Sequence, residues 1–340
     1  MYSVGVIGLG SIAESYGNPN DPNSYCHVGG IQHSDRVRLA AVADMLPERR
    51  ASFKEKWGHV FPHVQYHDSA QAMLAAEKLD IIAVCVRGPH HFSVMQDVIA
   101  AKPRAIFLEK PPTCSLAEMD EMVAAAKAVN VPITVSYSRH WAPHVLRLQE
   151  LVRGGLIGEV QTVVAYTGHS FLSFASHVTD LICQFAGYRP TAIYARGSVS
   201  GEAPEGYEPE PNLDGALIEF ANGVKGVHVG AGGEHGGFYA DVFGTEGLVR
   251  AGIYIPPYAR DKSGKEIDLA ELGMPKNASV FTVAYGQIAG YLDGGPLPHC
   301  TNEDFITVHE LGFGGIESVL TDRRVELPNA ERGRRIWANG

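Results

Sequence analysis

The chain has 340 residues, of which 45% are hydrophobic, and its formal net charge at pH 7 is -10. This length exceeds the size at which a single hydrophobic core usually divides, which predicts two domains. The acidic balance argues against nucleic acid as a partner, because nucleic-acid binding calls for a basic stripe. No apolar run approaches the length that spans a bilayer, so no membrane association is expected.

The spacing of cysteines and histidines predicts neither a disulfide framework nor a metal site. The 5 cysteines are an odd count without C-x-x-C spacing, so reduced thiols are expected. His59, His63 and His67 recur every four residues, but Pro62 prevents one continuous helix and hence a shared metal site. The first apolar strand begins almost at the start of the chain and leaves no room for a cleavable signal peptide. We therefore expect a cytoplasmic protein.

The chain opens with a dinucleotide-binding fingerprint. The apolar run Val4–Ile7 predicts a strand, and Gly8-Leu9-Gly10-Ser11-Ile12-Ala13 follows it as the G-x-G-x-x-A form of the motif. Gly8 permits the tight turn, Gly10 lets the backbone approach a pyrophosphate, and Ala13 keeps the next helix close to the sheet. The N–H groups and positive dipole end of that helix attract the phosphates. We therefore expect residues 8–12 to bind the cofactor.

A second predicted strand, Arg38–Ala43, ends at Asp44, an acid placed to bind the adenosine ribose hydroxyls. Asp44 comes later than the usual spacing of about 20 residues past the fingerprint, and the turn-rich stretch 17–25 accounts for the excess. This insertion is either a surface elaboration or a flap over the cofactor or substrate. The residues that would reach inward are Tyr16, Asn18 and Tyr25. The acid favours NAD as cofactor, while the basic pair Arg49-Arg50 keeps NADP possible.

Strands and helices alternate through the rest of the first half, which predicts a parallel sheet with right-handed crossovers. The remaining predicted strands are Val64–Tyr66, Asp80–Val86, Ala105–Leu108 and Pro132–Tyr137, and the predicted helices are Pro47–Trp57, Ser69–Lys78, Phe92–Ala101 and Ser115–Asn130. Ligands of doubly wound sheets bind at the carboxyl ends of the strands. We therefore expect Pro89 and His91, and Glu109 and Lys110, to lie beside the cofactor. A lysine there also fits a merely solvated surface position.

The pattern changes near residue 140. After a predicted helix at Pro143–Arg153, strand-like segments with hairpin turns predominate, which indicates an α+β domain with a mostly antiparallel sheet. The predicted strands are Val160–Tyr166, Thr191–Ser198, Leu213–Phe220, Val224–Val229, Phe238–Phe243 and Leu248–Ile253, with a hairpin tip at Gly232–Gly237. Helices are predicted at His177–Phe185, Thr282–Leu292 and Asp304–Leu320. The fold class is thus α/β, with a Rossmann domain over 1–138 and a substrate-binding α+β domain over 139–340.

Four motifs together resemble the Gfo/Idh/MocA family, the glucose–fructose oxidoreductase and inositol dehydrogenase group. In chain order they are the Gly8–Ala13 fingerprint, Glu109-Lys110-Pro111, Arg139 with Trp141-x-Pro143, and His177-x-x-Asp180. The resemblance extends from residue 2 to about residue 327. It implies a bound nicotinamide cofactor, a second domain built on a large open sheet, and homodimers or homotetramers packed through that sheet.

Lys110 and His177 are the candidate catalytic residues. Oxidation of a secondary alcohol requires a proton acceptor ~3 Å from the hydroxyl that titrates near the working pH, and an imidazole with an ordinary pKa of ~6.5 does so. The resemblance implies that Lys110 bridges substrate and nicotinamide ribose, so we assign it to orientation and proton relay. Arg139 is a candidate contact for the cofactor or the substrate, and Asp180 is a further candidate substrate contact. Three of these residues also fit structural roles. His177 fits a capping or core histidine, Arg139 a domain-junction ion pair, and Asp180 a solvated acid in the first turn of a helix.

One position departs from the family pattern. Many members have an aspartate four residues before the helical histidine, where this chain has Ser173. Serine cannot carry the negative charge that stabilises a charged histidine, so the polyol-dehydrogenase mechanism is in doubt although cofactor binding is not. Ser173 remains a candidate substrate contact. Ser93 and Ser138 also replace residues common in the family, which leaves room for a substrate other than inositol or glucose.

The sequence therefore predicts an NAD(P)-dependent dehydrogenase that acts on CH–OH groups. Its expected substrate is a polyhydroxylated small molecule, such as a sugar, a cyclitol or a sugar acid. Two other functions stay open, because a fold alone does not determine activity. One is an enzyme that keeps NAD tightly bound for redox-neutral sugar chemistry. The other is a ligand sensor that binds NAD without catalysis.

Overall fold

The computed structural model describes residues 1–167, 169–230, 237–276 and 278–338, and these form two compact units. Apart from the gaps, the first unit contains residues 1–113, 118–141 and 278–302, and the second contains the rest. The chain therefore returns to the first unit after leaving it. The sequence placed a single boundary between residues 138 and 139, which does not follow this division.

A parallel sheet forms the core of the first unit. Its strands are β1 (Tyr2–Ile7), β2 (Val37–Ala43), β3 (Gln65–His67), β4 (Ile81–Val84), β5 (Ala105–Leu108) and β6 (Ile133–Val135). The strand order is β3-β2-β1-β4-β5-β6, and every neighbouring pair is parallel. β4 and β5 are buried along their whole length, as expected for strands with both faces covered. The order reverses between β1 and β4, where doubly wound sheets bind their ligands. The prediction of a Rossmann sheet is confirmed.

Helices connect these strands. In chain order the α-helices of the chain are α1 (His27–Gln32), α2 (Pro47–Trp57), α3 (Ala70–Ala76), α4 (Gly88–Ala100), α5 (Leu116–Ala128), α6 (Pro143–Arg153), α7 (Ser176–Ala186), α8 (Val280–Leu292) and α9 (Glu303–Thr321). α2 has the predicted bounds because proline in the first turn starts it cleanly. Ser69 caps α3 by accepting a hydrogen bond from the Ala72 backbone N–H at 3.2 Å. α4 begins four residues earlier than predicted, because Pro89 fits the first turn.

The pairing of α1 with α8 explains why residues 278–302 belong to the first unit. Ser279 Oγ donates to the Ser24 carbonyl at 2.6 Å, and Thr282 Oγ1 donates to the Gly30 carbonyl at 3.1 Å. A side chain at Gly30 would overlap Phe281, so the glycine permits this close approach. The sequence did not predict α1, because its two glycines disfavour a helix.

The second unit contains a mostly antiparallel sheet. Its strands are β7 (Val160–Tyr166), β8 (Pro190–Ser198), β10 (Asn212–Phe220), β11 (Lys225–Val229), β12 (Tyr239–Gly244), β13 (Gly247–Gly252), β14 (Tyr258–Asp261) and β15 (Val325–Glu326), and a separate pair joins β9 (Glu208–Pro209) to β16 (Ile336–Trp337). The order is β14-β13-β12-β7-β11-β10-β8-β15, and the pair β7–β11 is parallel. The α+β prediction is confirmed. The predicted hairpin tip at 232–237 lies, except for its last residue, outside the described residues.

One face of this sheet is covered by α7 and α9. A Cβ atom on Gly226 of β11 would lie 2.8 Å from Ile182 of α7. Ser318 of α9 accepts a hydrogen bond at 2.9 Å from the backbone of Ala195 in β8. Across the described residues, every helix falls short of the length or the apolar character that a bilayer crossing demands.

Candidate functional site

The fingerprint loop takes a conformation that only glycine fits at its first position. Gly8 has φ +89°, and its N–H donates to the Ala43 carbonyl at 2.7 Å. A Cβ atom here would lie 2.8 Å from the backbone of both Cys85 and Val86, which follow β4. The tight turn predicted for Gly8 therefore lies where strands β1, β2 and β4 end together.

The second glycine of the loop borders open space. Apart from the two chain neighbours of Gly10, no heavy atom of the described residues lies within 4 Å of the position that a Cβ on Gly10 would occupy. The Gly10 carbonyl accepts hydrogen bonds from the N–H groups of Ala13 and Glu14, at 3.1 and 3.2 Å. Residues Ser11–Ser15 form a π-helical turn rather than the expected α-helix. Space beside this backbone fits a bound pyrophosphate, which must approach the chain closely.

Asp44 is joined to the fingerprint loop. One of its carboxylate oxygens accepts from the Leu9 N–H at 2.7 Å, and the other accepts from the Leu46 N–H at 2.9 Å. Arg49 lies 3.5 Å from the first oxygen, and Arg50 donates to the Asp44 carbonyl. Each carboxylate oxygen has a second lone pair, so both can still accept from a ribose hydroxyl. The loop and the acid therefore meet at one edge of the sheet, as predicted.

A buried chain of three side chains supports the Glu109-Lys110 turn. His27 Nε2 lies 3.0 Å from Glu109 Oε1, and His27 Nδ1 lies 2.9 Å from the Tyr285 hydroxyl. The second Glu109 oxygen accepts from the Lys110 N–H at 3.3 Å. Burial raises the pKa of Glu109, but the hydrogen bond and charge of His27 and the charge of Lys110 outweigh it and leave this pKa below its usual value. An ionised carboxylate only accepts, so His27 Nε2 donates to it.

Sequence reasoning missed His27 and Tyr285 in this chain. Burial raises the pKa of Tyr285 well above its usual value, so its hydroxyl keeps its proton beside His27 Nδ1. The imidazole is packed against Phe107 and Phe281, with ring centroids 4.7 and 4.5 Å away. A histidine that follows an insertion gave no signal, because its partners lie 82 and 258 residues away. Lys110 itself is half-buried at the carboxyl end of β5.

His91 and Pro89 lie in the first turn of α4, beside the same edge. His91 is fully buried, with Nδ1 2.6 Å from the Pro111 carbonyl and Nε2 2.8 Å from the Val86 carbonyl. Burial lowers the pKa of His91, against the opposing effect of these two carbonyls. The Pro111 carbonyl belongs to the residue that follows Lys110, so His91 contacts the backbone beside that lysine. Direct contact of His91 or Pro89 with the cofactor stays a prediction.

Arg139 and the insertion meet at Ser138. Arg139 is buried, and its Nη1 donates to Ser138 Oγ at 3.2 Å. The Tyr25 hydroxyl lies 2.6 Å from the same Ser138 oxygen. Tyr16 and Asn18 are exposed. Of the three residues considered for a flap, Tyr25 thus reaches inward within the first unit.

The second unit holds the other candidate residues near the start of α7. His177 is half-buried, and its ring lies edge-on to Phe238 at 6.4 Å. Asp180 is fully buried, and its two oxygens accept from Gln184 at 2.6 Å and from Tyr188 at 2.9 Å. These bonds fit a structural role for Asp180, so its contact with substrate stays a prediction.

A carboxylate that the sequence did not single out adjoins Ser173. Glu210 Oε2 accepts from Ser173 Oγ at 2.5 Å, and Glu210 Oε1 accepts from the N–H groups of Leu172 and Ser173. Glu210 lies between β9 and β10 and is half-buried, whereas Ser173 is buried. An acid 37 residues away along the chain cannot be linked to Ser173 from sequence spacing.

A doubly wound parallel sheet with a glycine fingerprint and an acid at its ligand edge defines a dinucleotide-binding protein. Residues 2–137 match the family model of Gfo/Idh/MocA proteins, described as an oxidoreductase family with an NAD-binding Rossmann fold. This match spans the sequence of the parallel sheet, and it confirms the resemblance stated from the motifs. The prediction of NAD as cofactor is confirmed at the level of the family.

Similar proteins of known name extend the comparison beyond the first unit. The myo-inositol 2-dehydrogenase of Thermotoga maritima is 24% identical over 238 residues, which cover 66% of either chain. The aldose–aldose oxidoreductase from Caulobacter crescentus, solved with glycerol, has a TM-score of 0.76 at 19% identity over 96% of this chain and 99% of that one. The WlbA dehydrogenase from Bordetella pertussis, solved with NADH and UDP-GlcNAcA, has a TM-score of 0.74 at 19% identity over 96% and 99% of the two chains. At these identities the structures establish the fold alone.

Proposed function

We propose that this oxidoreductase is an NAD-dependent dehydrogenase that acts on a secondary hydroxyl of a sugar, a cyclitol or a sugar acid. The observation that carries the proposal is the hydrogen bond between the Leu9 N–H and Asp44, at 2.7 Å. It joins the glycine loop to the acid at the edge of the sheet where Lys110 also lies. The names of the relatives, which include an inositol dehydrogenase and an aldose oxidoreductase, support the substrate class.

The first unit would hold the cofactor through its backbone and one acid. The open side of Gly10 would accept the pyrophosphate, and Asp44 would accept hydrogen bonds from the ribose hydroxyls. A 2′-phosphate would be repelled by this carboxylate, which favours NAD over NADP. Arg49, already 3.5 Å from Asp44, is the group that would tolerate a phosphate if the acid were lost.

The reaction needs a group that removes the hydroxyl proton while bound NAD accepts a hydride from carbon. We assign proton acceptance to the half-buried His177, because imidazole is the side chain whose unperturbed pKa lies in this pH range. We assign orientation of the hydroxyl and relay of its proton to Lys110. Glu109 would fix the Lys110 backbone, because its carboxylate is held between that N–H and His27.

A substrate panel distinguishes this proposal from the two alternatives. Pyranoses, inositols and sugar acids would be incubated with enzyme and NAD while absorbance of reduced nicotinamide is recorded. Net reduction of NAD by any compound supports the dehydrogenase. Turnover without net reduction, with NAD copurifying, supports redox-neutral chemistry. Saturable ligand binding without turnover supports a sensor.

Substitution of Lys110 tests its assigned role. Lys110→Ala should lower kcat at least ~100-fold, since proton transfer by a positioned group contributes ~100–10,000-fold. The Kd for NAD should stay within about tenfold, because catalytic contacts strengthen mainly in the transition state. Lys127→Ala, at an exposed position of α5, is the matched control and should leave both constants unchanged. Equal turnover by Lys110→Ala and the parent enzyme would remove the lysine from the mechanism.

A double substitution asks whether Lys110 and His177 act on the same step. If they do, the fold-loss of kcat in Lys110→Ala/His177→Ala should be far smaller than the product of the two single fold-losses, because the effects of residues that act as a unit are not additive. Multiplicative losses would contradict the shared step. Both single variants should keep NAD binding, measured by fluorescence titration.

The oligomeric state remains a proposal as well. We propose a homodimer or homotetramer that packs through the face of the eight-stranded sheet opposite α7. Leu217 of β10 and Val229 of β11 are apolar and exposed at 43% and 39%. A single-subunit mass in sedimentation velocity at micromolar concentration would contradict this.

A further inference from the structure

Glu210 forms a fixed carboxylate at the turn that leads into α7. Three of its hydrogen bonds come from the N–H groups of Leu172 and Ser173 and from the Ser173 hydroxyl. All three partners donate, which is what an ionised carboxylate requires. Bonds of this charge-assisted kind are about twice as strong as neutral ones. The negative charge of Glu210 is therefore held at one position beside Ser173.

The segment that carries Glu210 is itself constrained. Pro209 and Pro211 flank the acid, and each ring fixes its own backbone φ. The next residue, Asn212, forms an antiparallel bridge with Ser170 at the start of the same turn. The Leu213 N–H also donates to the His169 carbonyl at 3.3 Å. The acid thus reaches Ser173 from a rigid strand connection.

The position of Ser173 brings this charge to the face of the helix that carries His177. Residues four apart on a helix lie on one face, with Cβ atoms ~5–6 Å apart. The π-helical turn Phe171–Ala175 runs directly into α7, so Ser173 lies about one helical turn before His177. A carboxylate within about 4–6 Å of an imidazole favours its charged form and makes it a stronger base.

Three other titratable groups lie on α7 or pack against it and the turn before it. Asp180 of α7 accepts from Gln184 and Tyr188, and both donors are neutral, so its charge is a second one near the imidazole that Glu210→Gln leaves in place. His228 of β11 packs against α7, and burial lowers its pKa to about 4, so it is neutral near pH 7. His169 packs against Phe174 in the turn before α7 and carries no negative charge.

We propose that Glu210 is a positioning residue that supplies the negative charge beside His177 and so sets the basicity of that imidazole. The role rests on the proposed function, in which His177 accepts the hydroxyl proton. It also accounts for Ser173, where the family pattern has an aspartate: the serine holds a carboxylate that another strand supplies. The site thus keeps a carboxylate with a different attachment, which changes the shape presented to substrate.

The test is the titration of His177 measured by NMR on histidine-labelled protein. Glu210→Gln keeps the size of the side chain and an oxygen that accepts from the two N–H groups, but removes the charge. The pKa of His177 should fall by about one unit, a tenfold loss of proton affinity. Glu208→Gln, two residues earlier and paired with Arg334 instead, is the matched control and should leave the His177 titration unchanged.

A carboxylate introduced at another residue beside His177 should restore the pKa of this histidine. Ser173→Asp in the Glu210→Gln background should bring the pKa of His177 back within about 0.3 unit of the parent value. In Glu210→Asp, the pKa of His177 should lie between the values of the parent and of Glu210→Gln. The pH profile of kcat/KM should shift with the same sign and size in each variant.

Several results would overturn the proposal. An unchanged His177 pKa in Glu210→Gln overturns it, even if activity falls, because the acid would then be a purely structural cap. Failure of Ser173→Asp to restore the titration in a folded double variant also contradicts it. A parent enzyme without turnover on any panel compound refutes the proposed function instead, while the NMR titration still decides whether Glu210 and His177 are coupled.

Discussion

The two glycines of the fingerprint loop should separate stability from cofactor binding. A methyl group on Gly8 would meet the backbone of Cys85 and Val86 at 2.8 Å, whereas one on Gly10 would meet nothing within 4 Å. Gly8 also has φ +89°, while Gly10 has φ -82° and ψ -172°, which alanine adopts freely. Gly8→Ala and Gly10→Ala therefore make the same chemical change in opposite settings.

The magnitudes follow from these settings. Gly8→Ala costs about 1–2 kcal/mol for a left-handed backbone and about 1–3 kcal/mol for overpacking, so the free energy of unfolding should fall by ~2–5 kcal/mol. Gly10→Ala restricts the unfolded chain without a clash, so it should stabilise the protein by about 0.4–1 kcal/mol. If the pyrophosphate lies against Gly10, its new methyl group should raise the Kd for NAD at least about tenfold, or ~1.4 kcal/mol.

The assays are thermal unfolding without cofactor and titration with NAD by calorimetry. Gly8→Ala should unfold earlier, and Gly10→Ala should unfold at the parent temperature or above it. NAD should raise the unfolding temperature of the parent protein but raise that of Gly10→Ala far less, because binding to the native state alone stabilises it. A Gly10→Ala variant that binds NAD as the parent does would refute the placement of the pyrophosphate at this loop.

Two further predictions concern cofactor selection and pH. Asp44→Ser removes the charge that faces Arg49. The ratio of the Kd for NADP to the Kd for NAD should then fall at least about tenfold, because hydrogen bonds to charged groups contribute ~1.5–3 kcal/mol. An unchanged ratio in calorimetric titrations would contradict the role of Asp44 in binding the ribose. Burial lowers the pKa of His228 to about 4, against ~6.5 in an unfolded chain. Its contribution to stability is therefore complete above pH ~6.5 and is lost as pH falls towards 4, by ~3 kcal/mol in all. His228→Gln should flatten this pH dependence of the free energy of unfolding, measured in urea with hydrogen exchange of the β11 amides as the readout. If the free energy of unfolding of His228→Gln changed with pH as steeply as that of the parent, His228 would not be buried in its neutral form.

Local patterns in the sequence predicted the sheet of the first unit well. The apolar runs that became β1, β4 and β5 are short and bounded by turn residues, and helical stretches with clear caps separate them. Such patterns report burial and backbone preference within one segment, which is information that each segment carries by itself. The fingerprint adds the one irregular feature, because a turn with φ +89° at Gly8 can be anticipated from glycine itself.

Pairing between segments was predicted less completely. Six strands of the second unit were located to within one or two residues, whereas β9, β14, β15 and β16 were not predicted. The parallel pair β7–β11 inside a mostly antiparallel sheet was not predicted either. Alternating burial shows which face of a strand is covered, and it does not show which strand lies beside it. The return of α8 to the first unit has the same origin, because its partner α1 was not recognisable as a helix.

The sequence by itself determined a dinucleotide-binding sheet, a second α+β unit and a lysine at the ligand edge, because each depends on residues that are neighbours along the chain. Only the tertiary structure joined His27 to Glu109 across 82 residues and Glu210 to Ser173 across 37. Buried or half-buried charges must find hydrogen-bonding partners, and the folded backbone decides which partners are within reach. The supporting groups around the candidate catalytic residues are therefore a property of the fold.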